Sequence, residues 1–245
     1  PEQILKMSED FKRYALYFAP ESGSRLARLG NHWLGTDPET GKELDWPQID
    51  GIRPQDIVNI TKAPSRYGFH GTLKPPFFLR ENRTVWELDL EVQKLAAQIA
   101  PFDVVDMVVR PLGDFLAIVP MPPVEALNEL ADRCVKELDD FRQPASDEEL
   151  ARRRNNLTPR QENLLTQWGY PYVMEEFRFH MTLTGRLGSS ERATLEKKLT
   201  DYMAPALVTP VTVRDISLFG DPGDSKPFRL LKRYPLGGGG QITEL

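Results

Sequence analysis

The sequence predicts an α+β protein: a duplicated fold of two similar lobes, each an antiparallel sheet with helices outside, and a cleft between them. Three observations predict it. Two matched pentapeptides, Phe69-His70-Gly71-Thr72-Leu73 and Phe179-His180-Met181-Thr182-Leu183, stand about half the chain apart. Each is followed by the same expected order of strand, helix, strand, strand. Finally, the strand-like runs end at Pro20 and Pro75-Pro76 or turn at Pro111–Asp114.

Taken in order, Arg13–Ala19 reads as a first strand ended by Pro20, and Ser24–Leu34 as a helix. Residues 35–48 carry Gly, Pro, Asp and Trp without a period and read as loop. Gly68–Lys74 reads as a strand stopped by Pro75-Pro76, because proline donates nothing to a ladder. Thr84-Val85-Trp86-Glu87 is a capping box that opens a helix to about Ala100. Val104–Arg110 and Phe115–Val119 make a hairpin around the Pro111–Asp114 turn. Glu125–Leu138 is amphipathic and helical. Ser146–Glu149 and Thr158–Gln161 are further capping boxes, so two more helices are expected, joined near Asn155-Asn156. A strand over Glu176–Thr184, a helix near Ser190–Met203, and strands near Val208–Phe219 and Pro227–Tyr234 complete the series. In outline, 12–124 forms the first lobe, 125–172 a helical connector, 173–235 the second half and 236–245 a flexible tail, within one two-lobed domain.

The chain has 245 residues, enough to bury a real core, and 40% hydrophobic with 27% charged residues is ordinary globular usage. A formal net charge of −5 gives no broad field to recruit long nucleic acid, so an anionic ligand needs a local cationic pocket. The single cysteine, Cys134, excludes an internal disulfide and reads as helix packing. No apolar run reaches a membrane span, and residues 1–6 lack a secretory pattern, so a cytoplasmic location is expected.

On a strand, residues i and i+2 share a face. His70 and Thr72 are then neighbours, as are His180 and Thr182, while Phe69, Gly71 and Leu73, and Phe179, Met181 and Leu183, face the core. Extending the polar rows adds Lys74 to the first and Arg178 and Thr184 to the second. Two imidazoles, two hydroxyls and two cations suit a phosphodiester. A neutral His takes a proton from attacking water, and a protonated His gives one to the leaving oxygen. The hydroxyls and cations hold the non-bridging oxygens. No metal or other cofactor is expected: three histidines and one cysteine make a poor zinc set. His32 reads as a surface or packing residue, and Arg152–Arg154 as a solvated helical face.

These two motifs resemble the two-histidine phosphoesterase superfamily, whose members carry His-x-Thr/Ser on strands of a duplicated α+β fold. The stretch Arg66–Phe77, with Arg13–Pro20 and Trp33-Leu34-Gly35, resembles a branch associated with phosphonate-metabolism operons. The resemblance covers about residues 13–235. It implies His70 and His180 as catalytic residues and Thr72 and Thr182 as substrate contacts. Lys74, Arg178 and Tyr17 join them from strand facing and proximity. The expected activity is metal-independent hydrolysis of a small cyclic phosphodiester, a cyclic nucleotide or cyclic sugar phosphate. The alternatives are RNA-end processing of 2′,3′-cyclic phosphates and non-catalytic binding of a phospho-ligand. A small phosphate ester is the expected partner, an oligonucleotide less so, and no membrane.

Overall fold

In the computed structural model of the protein, residues 11–238 are described. The stretch read for a secretory pattern and the tail from 239 onward lie outside them. Among the described residues nine strands form: β1 (Arg13–Phe18), β2 (Gly71–Phe77), β3 (Phe102–Val104), β4 (Met107–Leu112), β5 (Phe115–Pro120), β6 (Met181–Thr182), β7 (Val211–Val213), β8 (Asp215–Asp221) and β9 (Arg229–Pro235). Seven lie in one antiparallel sheet ordered β4-β5-β6-β2-β1-β8-β9, and β3 pairs with β7. The large sheet narrows to one residue pair, Gly71 with Met181, where its two lobes meet.

Each motif strand is followed by a helix and a hairpin, as the repeat predicts, but in each half a short strand not read from the sequence, β3 or β7, comes between them. The hairpins, however, cross over. Hairpin β4–β5 follows the His70 strand but pairs with β6, whereas β8–β9 follows the His180 strand but pairs with β1. Segments 12–124 and 173–235 therefore interleave, and each lobe draws on both.

Helices α1 (Arg25–Leu34), α3 (Val85–Ala97), α4 (Glu125–Glu137) and α7 (Ser189–Leu207) bury the apolar face of the sheet. Tyr14, Leu16 and Phe18 of β1 point into that core with Trp33, Leu88, Leu130 and Leu195. Ala15, Tyr17 and Ala19 point the other way, with Phe219 and Phe228. Local signals explain the helix starts: Thr84 and Thr158 close reciprocal capping boxes with Glu87 and Gln161, and Ser146 accepts from the Glu149 N–H. Of the expected connector 125–172, α4 thus belongs to the main core, whereas α5 (Asp147–Arg153) and α6 (Pro159–Trp168) lie outside it, with Leu164 packed on Val135 and Val173 in a separate small core.

Several expectations are corrected. Strand β2 does not stop at Pro75-Pro76 but runs through both to Phe77. The register jumps there, from Leu16–Lys74 to Tyr14–Phe77, so a bulge absorbs the missing N–H donors. Helix α2 (Pro54–Ser65) was not read from sequence; it buries only Ile57, Thr61 and Pro64, too few for a clear apolar period. Glu176 ends a 3-10 turn (Met174–Glu176), and strand geometry near His180 is confined to Met181–Thr182. Residues 236–238 are anchored rather than free, their N–H groups bonding Arg214, Ala96 and Ile99 carbonyls. Cys134 is buried, and burial pushes its thiol up to about 12, which suits packing. Among the described residues, no helix is long and apolar enough to cross a membrane.

Candidate active site

Phe69, Leu73, Phe179, Met181 and Leu183 are buried as the alternation requires. A one-residue slip would turn them all outward, so the opposite facing of the polar residues is firmly set. With Gly71 opposite Met181, the antiparallel register places Thr182 beside His70 and His180 beside Thr72. The two imidazoles lie near enough that His180 helps to lower the pKa of His70. Glycine is needed at 71 because a Cβ there would lie 2.5 Å from the Phe179 ring.

The two histidines are held alike. Nδ1 of His70 lies 2.8 Å from the Gly68 carbonyl, and Nδ1 of His180 lies 2.7 Å from the Arg178 carbonyl. A carbonyl only accepts, so each Nδ1 carries the proton and each neutral ring keeps its Nε2 lone pair. In both cases the acceptor is two residues upstream. Gly68 reaches its position with φ +74°, which a glycine adopts without strain. The Thr72 hydroxyl donates to Nε2 of His70 across 3.2 Å.

Aromatic rings wall the site. Tyr17 stacks on His70 at 3.8 Å between centroids, with Tyr67 and Phe219 at 6.4 and 6.3 Å. Phe115 sits 5.8 Å from His180. Tyr170, from the connector, is close enough to raise the Tyr17 phenol, although burial is the main cause of that rise. Burial also drives His70 down to about 4; the Gly68 bond opposes the shift and nearby His180 adds to it. His180 is lowered by burial as well, against the bond to Arg178.

The predicted residues divide. His70, His180, Thr72, Thr182 and Tyr17 come to one face. Lys74 does not. Leu16 faces both Leu73 and Lys74 across a bulge, which swings Lys74 into the core, where it donates to the Val135 carbonyl at 3.0 Å and pairs with Asp139 at 3.5 Å. The second motif does the same: the Leu183 and Thr184 N–H groups share the Leu116 carbonyl, and the Thr184 hydroxyl accepts from the Leu116 N–H. Each polar row thus ends at its threonine. Arg178 is exposed and folds back onto the Glu175 and Phe177 carbonyls; its main chain, rather than its guanidinium, serves His180.

Sequence reasoning missed Tyr67, Phe115, Tyr170 and the two carbonyls. Tyr67 stands three residues before His70, but a main-chain acceptor has no side-chain signature.

Lys74→Met should leave kcat/KM unchanged. Burial lowers the Lys74 ammonium to about 8, so the wild-type fold gains stability from this group as pH rises from about 8 towards its ordinary 10.5. That gain should vanish in the variant, whose Asp139 keeps Arg142. Denaturation at pH 7.5 and 10 measures it, and lost activity would return Lys74 to the site.

Curated relatives resemble nearly the whole chain. It is 37% identical over 244 residues to "Ribose 1,5-bisphosphate phosphokinase PhnN" of Janthinobacterium sp. (strain Marseille), covering 97% of this chain and 54% of that protein. The same-named protein of Laribacter hongkongensis (strain HLHK9) is 32% identical over 220 residues, covering 90% and 51%. The chain spans about half the length of these relatives. Among solved structures, a phosphoesterase aligns with a TM-score of 0.40 at 14% identity, covering 92% of this chain and 98% of that one. E. coli LigT complexed with 3′-AMP aligns at 0.39 and 14%, covering 91% and 98%. Residues 72–229, from the first motif's threonine to the start of β9, match a single family, so the chain belongs to the one described as "Protein of unknown function (DUF1045)".

Proposed function

We propose that this chain is a metal-independent phosphodiester hydrolase acting on a small cyclic phosphodiester. One observation carries the reading: two imidazoles immediately before the paired strands β2 and β6 share a face, each pinned through Nδ1 so that Nε2 keeps its lone pair, with the Thr72 hydroxyl resting on that of His70. His70, with the larger downward shift, acts as base. It takes a proton from water as the water oxygen bonds to phosphorus. His180 donates its proton to the ester oxygen as the P–O bond of the ring breaks, leaving a phosphomonoester and an alcohol. Exchange with solvent restores both histidines. Thr72 and Thr182 hold the non-bridging oxygens, and Tyr17 keeps the His70 ring in plane.

The relatives are named phosphokinases, yet this chain contains no G-x-x-x-x-G-K-[ST] loop to cradle a nucleoside triphosphate. About half of each relative lies beyond the match, which leaves room for kinase chemistry there. Their names concern a ribose phosphate, which favours a cyclic sugar phosphate over an oligonucleotide. Arg153 also pairs with Glu149 and bonds the Gly169 carbonyl, so it adds little to a basic strip for RNA.

The test is a screen of cyclic sugar phosphates and nucleoside 2′,3′-cyclic phosphates in EDTA, with the double His70→Ala/His180→Ala variant as control. Turnover by wild type alone supports the reading; turnover that needs added metal or persists in the double variant sinks it. The pH profile is a sharper check. For a base near 4 and an acid below 6.5, kcat/KM should rise through about pH 4, peak on the acid side and fall before pH 7. A rate still climbing at pH 8 would point to a different base.

A further inference from the structure

The cleft face carries cations that the proposed reaction does not use. Arg13 and Arg66 both approach Asp221, which is buried at 1% exposure. Arg13 takes this carboxylate closely, through Nε at 2.9 Å and a terminal nitrogen at 2.5 Å, and the Gly223 N–H adds a third bond at 2.9 Å. Arg66 is left with 3.2 and 3.4 Å from one nitrogen, long for a charge-assisted pair. Its buried Nε has no acceptor among the described residues. Two guanidiniums therefore share one negative charge in a chain whose net charge is −5, and Arg66 is the surplus cation.

Its surroundings suit a ligand. The Arg66 guanidinium stacks over Tyr67 at 5.6 Å and Phe228 at 5.7 Å, and Arg13 lies over Phe228 at 5.8 Å. The Phe228 N–H bonds the Arg66 carbonyl at 2.7 Å, fixing the platform. Tyr67 and Phe228 then lead back to His70 and its stacked Tyr17, at 6.4 Å in each case. Arg66 is two ring contacts from the imidazole. It retains 29% side-chain exposure and Arg13 24%, so both stay open to a ligand from solvent.

We propose that Arg66, supported by Arg13, forms a second anion subsite that takes a phosphomonoester carried by the substrate away from the reacting phosphorus. A planar guanidinium held on aromatic faces presents two parallel N–H groups to such an oxyanion. The cyclic phosphate lies between the histidines and the second phosphate lies at Arg66, so the substrate class is a cyclic phosphodiester with a separate monoester. The assignment of the reacting end rests on the hydrolase reading, whereas the binding at Arg66 does not.

The experiment compares ribose 5-phosphate with ribose as probes, by calorimetry at low and high salt, for wild type, Arg66→Gln and Arg13→Gln. Each substitution leaves Asp221 one guanidinium, so if either variant fails to fold the other still reports. Wild type should bind the phosphorylated sugar at least about tenfold more tightly at low salt, with the preference shrinking at high salt. Arg66→Gln should abolish the preference and Arg13→Gln should weaken it. Equal binding of the two sugars, or a preference that survives Arg66→Gln, overturns the proposal. A parallel arm measures turnover of cyclic phosphodiesters with and without a second phosphate. Phosphate-dependent binding without turnover of either substrate would sink the hydrolase reading and leave the subsite standing.

Discussion

His70→Ala and His180→Ala should each cut kcat by about 10²–10⁴-fold, the usual worth of a positioned acid or base. KM should change far less, because the threonines and the aromatic walls remain. Both imidazoles are only half-buried, and neither fills a core position, so the fold should survive either change. The two losses should also differ in pH dependence. Without His70, the rise of kcat/KM near pH 4 should disappear; without His180, the fall on the alkaline side should disappear. Steady-state assays across pH 3.5–9 on a responsive cyclic phosphodiester measure this. Loss of the same limb in both variants would contradict the separate acid and base roles.

Gly71→Ala should be nearly as damaging, although the residue touches no substrate. A Cβ at 71 would lie 2.5 Å from one Phe179 ring carbon and 2.6 Å from another. Phe179 is buried, so its ring cannot simply swing into solvent. Overpacking of this kind costs about 1–3 kcal/mol, to be read from chemical denaturation. Phe179 immediately precedes His180, and Gly71 follows His70. The displaced ring should therefore move one imidazole relative to the other, and a shift near 1 Å can cost about 10² in rate. Gly71→Ala combined with Phe179→Leu should recover part of both losses. Full activity in the single variant would mean that the lobes do not depend on close approach at this pair.

The site was legible wherever identity and period sufficed. Two His-x-Thr pairs between apolar anchors told which side chains share a face, and Thr84 and Thr158 announced their helices through partners three residues on. The reading failed where geometry departs from the ideal period. A bulge after each threonine is invisible to an alternation rule, so Lys74 was assigned to the wrong face and Thr184 to an open one. Strand β2 passes two prolines for the same reason. Tyr170 was missed because its approach to Tyr17 is a tertiary fact, while α2 has too few buried residues to print a pattern. The crossing of the hairpins also leaves no local trace, since β4–β5 and β8–β9 would look the same had each stayed with its own half.

That crossing sets a timetable for assembly. A ribosome delivers β1 and the His70 strand early, but β8, the neighbour that covers the far edge of β1, arrives some two hundred residues later. The β4–β5 hairpin likewise waits for β6, and β3 for β7. Until then the nascent chain holds apolar strands with open edges, the kind of surface that chaperones recognise. Neither half-chain can finish a lobe by itself, so a product broken off at the connector would contain one intact pentapeptide and no working half-site. The two halves thus complete one another: His70 meets Tyr17 early but gains Phe219 beside it only after β8 is made.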